Sequence, residues 1–151
     1  MHDTALFLHI LGAFTLAGGI IVAGIAFEAA RRRSSPDEIA LLLGLTRVGA
    51  AAIGVGTLLV LICGLWLVHL DHLSLRTRWI EAALAVLVVM IVLGALGGQR
   101  PKQARRLAQS DGGSSGALRA LLDDPWSRAA NYAAAACVLV ILWLMVSKPT
   151  L

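Results

Sequence analysis

The sequence predicts an all-α polytopic membrane protein, an antiparallel bundle of four transmembrane helices. Three observations predict it. Of the 151 residues, 58% are hydrophobic and 15% charged, and the mean hydropathy is +0.81, so too little polar surface exists to cover a water-facing globule. The apolar residues fall in four blocks, each near the ~20 residues a helix needs to cross ~30 Å of hydrocarbon. Lys and Arg gather in short clusters flanking those blocks. A single membrane domain over residues 1–151 follows, with spans near 4–27, 48–68, 79–96 and 129–146 and loops at 28–47 and 97–128.

The first span runs from Thr4 to Phe27 and closes in Glu28 and Arg31, Arg32 and Arg33, where the carboxylate forms an interfacial charge pair with the arginines. It has no basic segment before it and no small-residue cleavage site after it, so it reads as a mature helix rather than a signal peptide. Ser35-Pro36-Asp37-Glu38 reads as a helix start. Ser35 stands at the N-cap, Pro36 at the first helical position, and Glu38 is placed to return a hydrogen bond to the cap. The helix continues to Leu70, about 52 Å at ~1.5 Å per residue, longer than the hydrocarbon is thick. Pro36 to Thr46 therefore protrude into the cytoplasmic interface, with Arg47 at the boundary.

The short polar turn from Asp71 to Arg78 predicts a third helix running back beside the second, over Trp79 to Leu96. After Gly97-Gly98, the run from Gln99 to Gln109 is basic, and Ser110 to Gly116 is a flexible linker by composition. Gly116 to Leu122 forms a brief amphipathic turn on the membrane surface. Asp123-Asp124-Pro125 then caps the fourth helix, whose span lies between Ala129 and Val146.

Ten Lys and Arg lie between the first and second or the third and fourth spans, against Arg76, Arg78 and Lys148 on the other side. Basic loops stay inside, which places both termini outside a cell inner (plasma) membrane. Trp66, Trp79 and Trp143 near the outer ends of their spans and Trp126 near an inner end agree with that orientation. Close-approach faces are supplied by Gly12, Gly18, Gly19 and Gly24 on the first helix, Ala50 with Gly54 or Ala52 with Gly56 on the second, and Gly94 with Gly98 on the third.

The pI near 9.8 does not point to nucleic acid, because no basic stripe is interleaved with aromatics. The cations read as topology signals and contacts to anionic lipid, and the lipid bilayer is the expected partner. Cys63 and Cys137 lie inside apolar blocks as small buried hydrophobes, with no disulfide framework. The sequence contains no phosphate-binding glycine loop, no paired-cysteine zinc pattern and no nucleophile-elbow serine.

The histidines carry the one lead to chemistry. His2, His9, His69 and His72 all fall on the outer side. His9 lies about one and a half turns into the first span, His69 and His72 share a face at the outer end of the second, and Glu81 sits just inside the third. If the first two helices are neighbours, His9 and His69 approach the same depth. Ionisable groups in a span are costly and mark functional sites, so His9, His69 and His72 are candidate ligands of heme iron or copper, with Glu81 a further metal ligand. The bland alternatives are interfacial rings for His69 and His72, an interhelical hydrogen bond for His9, a solvated terminus for His2, and a pair with Arg78 for Glu81.

Leu8-His9-Ile10-Leu11-Gly12-Ala13-Phe14-Thr15-Leu16-Ala17-Gly18-Gly19 resembles the first helix of a group of small bacterial four-helix membrane proteins. The group includes CopD-type copper-resistance domains, HemJ-type protoporphyrinogen oxidases and predicted integral membrane protein families without assigned function. Gly64-Leu65-Trp66-Leu67, the turn into Trp79, and the basic segment Arg100 to Arg106 are similar to it as well. The HemJ-type resemblance implies heme binding through His9. However, the third span holds no lysine, and Leu16 stands where those proteins carry a tryptophan. The CopD-type resemblance implies copper handling, although Met1, Met90 and Met145 are scattered. A function-unknown relative fits best.

Two functional readings follow. In one, outer-side histidines bind heme b or a metal such as copper. In the other, the chain is a non-catalytic helical subunit or scaffold that forms a homo-oligomer or joins a larger membrane complex. A transporter fits less well, because Thr15 and Thr57 are the main polar residues inside the spans.

Overall fold

The computed structural model describes residues 1–108 and 115–148, and its regular structure over them is α-helical throughout. Six helices follow in order: α1 (His2–Arg31), α2 (Pro36–Leu70), α3 (Arg78–Gly97), α4 (Gln99–Ala108), α5 (Ser115–Leu122) and α6 (Pro125–Ser147). Four helical stretches, containing α1, α2, α3 and α6, are long and apolar enough to cross a membrane. Large apolar side chains such as Phe14, Leu139 and Val146 stand exposed around them, as lipid contact requires. Most of the linker expected at Ser110 to Gly116 lies outside the described residues, and Ser115 and Gly116 open α5.

The helix starts follow the sequence, with one exception in detail. Asp124 caps α6, its carboxylate accepting from the Ser127 N–H at 3.1 Å, and Pro125 takes the first turn. Ser35 stands at the N-cap of α2 ahead of Pro36, but its side chain makes no capping bond. Glu38 turns to Arg33 instead, at 3.7 Å, so the reciprocal capping box is not formed.

The pairing of helices departs from chain order. α1 and α2 pack together along most of their length, as do α3 and α6, whereas α2 and α3, joined by a short turn, hardly touch. The expectation that α3 runs beside α2 is thus incorrect. The face α2 uses for close packing is already taken by α1, and α3 finds its own close approach at the far end, where a Cβ on Gly97 would stand 2.9 Å from Ala130 Cβ. Ser127, buried at the start of α6, donates to the Gly97 carbonyl of α3 at 3.4 Å. The two pairs meet at mid-depth through Leu16 and Ile20 of α1, Leu87 and Met90 of α3, and Ala134 of α6.

A glycine seam locks α1 to α2. Gly12 and Gly19 on α1 face Gly56 and Gly49 on α2, each pair seven residues apart. A Cβ on Gly49 would fall 2.7 Å from the Gly19 carbonyl oxygen, so the backbones touch and dispersion replaces side-chain packing. Of the residues expected at close approaches, Gly12, Gly19 and Gly56 are there, and Gly24 meets α6, where a Cβ would stand 3.1 Å from Asn131 Nδ2. Gly18, Gly54 and Gly94 face open space, Ala50 is exposed, and Gly49 had not been singled out.

A second core lies at the basic end of the bundle. Phe27 and Ala30 of α1, Ile39 and Leu43 of α2, Ala104 of α4 and Leu122 of α5 are buried against one another. Leu121 and Leu122 of α5, expected to form a brief amphipathic turn, are thus packed into protein. The start of α2, through Ile39 and Leu43, is the wall against which this cap is built.

Candidate functional site

His9 lies on α1 against α2. Its Nδ1 is 3.0 Å from the Val60 carbonyl oxygen. A carbonyl can only accept, so Nδ1 carries the proton and, in the neutral ring, Nε2 keeps its lone pair. Gly64, one turn beyond Val60, makes the room: a Cβ there would stand 3.0 Å from His9 Cε1. The ring thus ties the two helices together and still offers one unprotonated nitrogen.

Next to the helix ends, His2 Nε2 lies 3.2 Å from Asp71 Oδ1 at the close of α2, with Asp3 at 3.6 Å from Nδ1. His2 is therefore a clasp between α1 and the turn after α2, which a merely solvated terminus would not be. The two contacts fix the register of the antiparallel pair. His2 is level with Asp71, and His9 with Val60 to Gly64. His69 is then level with Asp3, about six residues or ~9 Å along the axis from His9. The expectation that His9 and His69 share a depth is incorrect by that margin.

His72 has a backbone role. It sits at φ 52°, in the left-handed region, directly after the C-cap of α2. Its N–H bonds the His69 carbonyl and the Leu73 N–H bonds the Val68 carbonyl, at 3.3 and 3.0 Å. These two bonds form the Schellman motif that closes a helix, in which glycine is the usual left-handed residue. The rings of His69 and His72 are exposed.

Glu81 is exposed in the first turn of α3 and forms no ion pair with Arg78. Because α3 pairs with α6, Glu81 is not carried to the α1–α2 seam by a neighbouring α2. Among the described residues, no three His, Cys, Asp or Glu side chains converge where they could hold a metal ion. Two hydroxyls of the spans bond within their own helices: Thr15 donates to the Leu11 carbonyl and Thr57 to the Ile53 carbonyl, 2.8 and 2.7 Å.

The residues that pattern reading missed lie at the other end. Arg31, mostly buried, reaches Asp123 ahead of α6 at 3.0 Å and Glu28 at 3.4 Å, while Arg32 approaches Glu28 at 3.8 Å. The Glu28 cluster was anticipated. The Arg31–Asp123 bond, which latches the cap to α1, joins residues 92 apart and left no local signal.

Residues 3–149 match the family described as predicted integral membrane protein (DUF2269). The chain belongs to this family. No curated protein and no solved structure matches it. The family is one of unknown function, so its description agrees with the four spans and adds no activity.

Proposed function

We propose that this member of the family is a non-catalytic helical subunit, the scaffold of a homo-oligomer or larger membrane complex. The observation that carries the reading is the second core. We read this apolar core, built from α4, α5 and the adjoining ends of α1 and α2 and latched through Arg31 and Asp123, as a folded platform at the basic end of the bundle. Among the described residues no three His, Cys, Asp or Glu side chains converge, and the Thr15 and Thr57 hydroxyls bond within their own helices. The excess of Lys and Arg at the platform end supports a cytoplasmic platform, with both termini outside and the plasma membrane as the site. Cross-linking in intact membranes is expected to capture the chain in species heavier than its own 15.9 kDa. Recovery of single chains only would overturn the reading.

One observation favours a second function. His9 donates from Nδ1 to a backbone carbonyl, the arrangement that orients histidine ligands and leaves Nε2 for iron or copper. Heme b or copper would then take His9 as its ligand, with His69, His72 and Glu81 as further candidates after rearrangement. Such a site would align the chain with the CopD-type and HemJ-type group. An absorption spectrum with metal analysis, after expression with heme and copper supplied, tests it. A heme or copper signal abolished in His9→Ala supports this second function, and a colourless, metal-free protein dismisses it.

A further inference from the structure

The two halves of the histidine-bearing end differ in charge. The α1–α2 half carries Asp3 and Asp71 around His2, whereas the α3–α6 half carries Arg76, Arg78 and Lys148, all exposed. Lys148 Nζ lies 5.9 Å from the centre of the Trp79 ring, which brings the end of α6 onto the start of α3. Trp143 stands exposed one turn below Lys148. Glu81 is the acidic group on this part of α3, and three cations against one carboxylate leave the collar positive.

Below the collar, α3 and α6 flank an open, wholly apolar groove of about 290 Å³, lined by Ala85, Val86, Val89, Ala136, Cys137 and Val140. Helical spacing connects the two features. Arg78, Ala82, Ala85 and Val89 follow one another at three- and four-residue steps on α3, as do Cys137, Val140, Trp143 and Ser147 on α6. The groove lies seven to eleven residues below Arg78, or about 10–16 Å. One lipid spans about 20 Å, half of a ~40–45 Å bilayer, so its chain falls at the groove when its phosphate is at the collar.

We propose that this face holds one phospholipid, its phosphate on Arg78 and Lys148 and one acyl chain in the α3–α6 groove. The guanidinium and ammonium supply charge-assisted bonds to phosphate oxygens, and Trp79 and Trp143 flank the headgroup level as interfacial rings do. The small side chains of Ala85 and Ala136 keep the groove open. This lipid would sit on the leaflet opposite the folded cap, and its binding does not depend on the scaffold reading.

Intact-protein mass spectrometry from detergent micelles, after titration with dioleoyl phosphatidylglycerol, counts bound lipid directly. Dioleoylglycerol, with the same chains and no phosphate, is the comparison. One phosphatidylglycerol per chain is expected, with dioleoylglycerol at least about tenfold weaker. Arg78→Gln and Lys148→Gln should each weaken retention about fivefold, whereas Arg47→Gln at the opposite end leaves it unchanged. Ala85→Phe fills the groove and should also release the lipid. Ala136→Phe repeats that test if circular dichroism finds the first variant unfolded. Equal retention of dioleoylglycerol, a loss caused by Arg47→Gln, or retention unchanged in Arg78→Gln and the groove variants would overturn the proposal.

Discussion

At the scale of single residues, Gly56 bears the closest approach between helices. A Cβ there would lie 2.5 Å from the Leu16 nitrogen and 2.8 Å from the Gly12 carbonyl oxygen, and neither backbone atom can swing away. Gly56→Ala should therefore lower stability by about 1–3 kcal/mol, the cost of overpacking. Gly54→Ala, two residues away and facing open space, should be neutral or slightly stabilising. Thermal unfolding in detergent checks both. His9→Ala removes one interhelical bond and should cost about 0.6–1.7 kcal/mol by the same measurement. His72→Gly relieves a left-handed histidine and should leave stability equal or raise it by up to about 1 kcal/mol. A marked loss there would mean that the ring, not the backbone, is what the position needs.

At the scale of elements, the bounds were legible and the partners were not. Hydropathy blocks, Pro36 and the Asp124-Pro125 cap place every long helix to within a few residues, because lipid and protein interior both demand apolar side chains. That same demand hides the pairing. In a soluble bundle the polar face says which side looks outward, but Gly49 and Gly54 sit in equally apolar surroundings and only packing separates them. The candidate site was legible to the same extent. The sequence assigns His9, His69 and His72 to one end, but the register that sets them at different depths comes from the glycine seam and the His2–Asp71 contact. The Arg31–Asp123 latch was illegible because it joins distant segments through two ordinary charges. With Asp123 largely exposed, the pair is worth about 0.5–1 kcal/mol, enough to hold a short helical cap and too little to hold the spans. Asp123→Asn should thus raise hydrogen exchange in α4 and α5 severalfold and leave α1, α2, α3 and α6 protected.

At the scale of the whole molecule, the structure has two unlike ends joined by an apolar middle. One end is basic and capped by its own small core; the other holds the histidines, the acidic clasp of α1 and α2, and the cationic collar of α3 and α6. The orientation is open to a direct check. Single cysteines introduced at Lys102 and at Ser74, in a background lacking Cys63 and Cys137, should react with an impermeant maleimide from opposite sides of the membrane, Ser74→Cys from outside. Labelling of both from one side would contradict a four-span topology.

The scaffold function stands or falls on what leaves the membrane with the chain. Extraction of membrane patches with a polymer, without detergent, followed by native mass spectrometry gives that mass directly. The wild-type protein is expected as an oligomer or with bound protein, above the 15.9 kDa of one chain, and Asp123→Asn, with its cap loosened, is expected to retain less of that excess. A single chain carrying no protein partner, in wild type and variant alike, would contradict it.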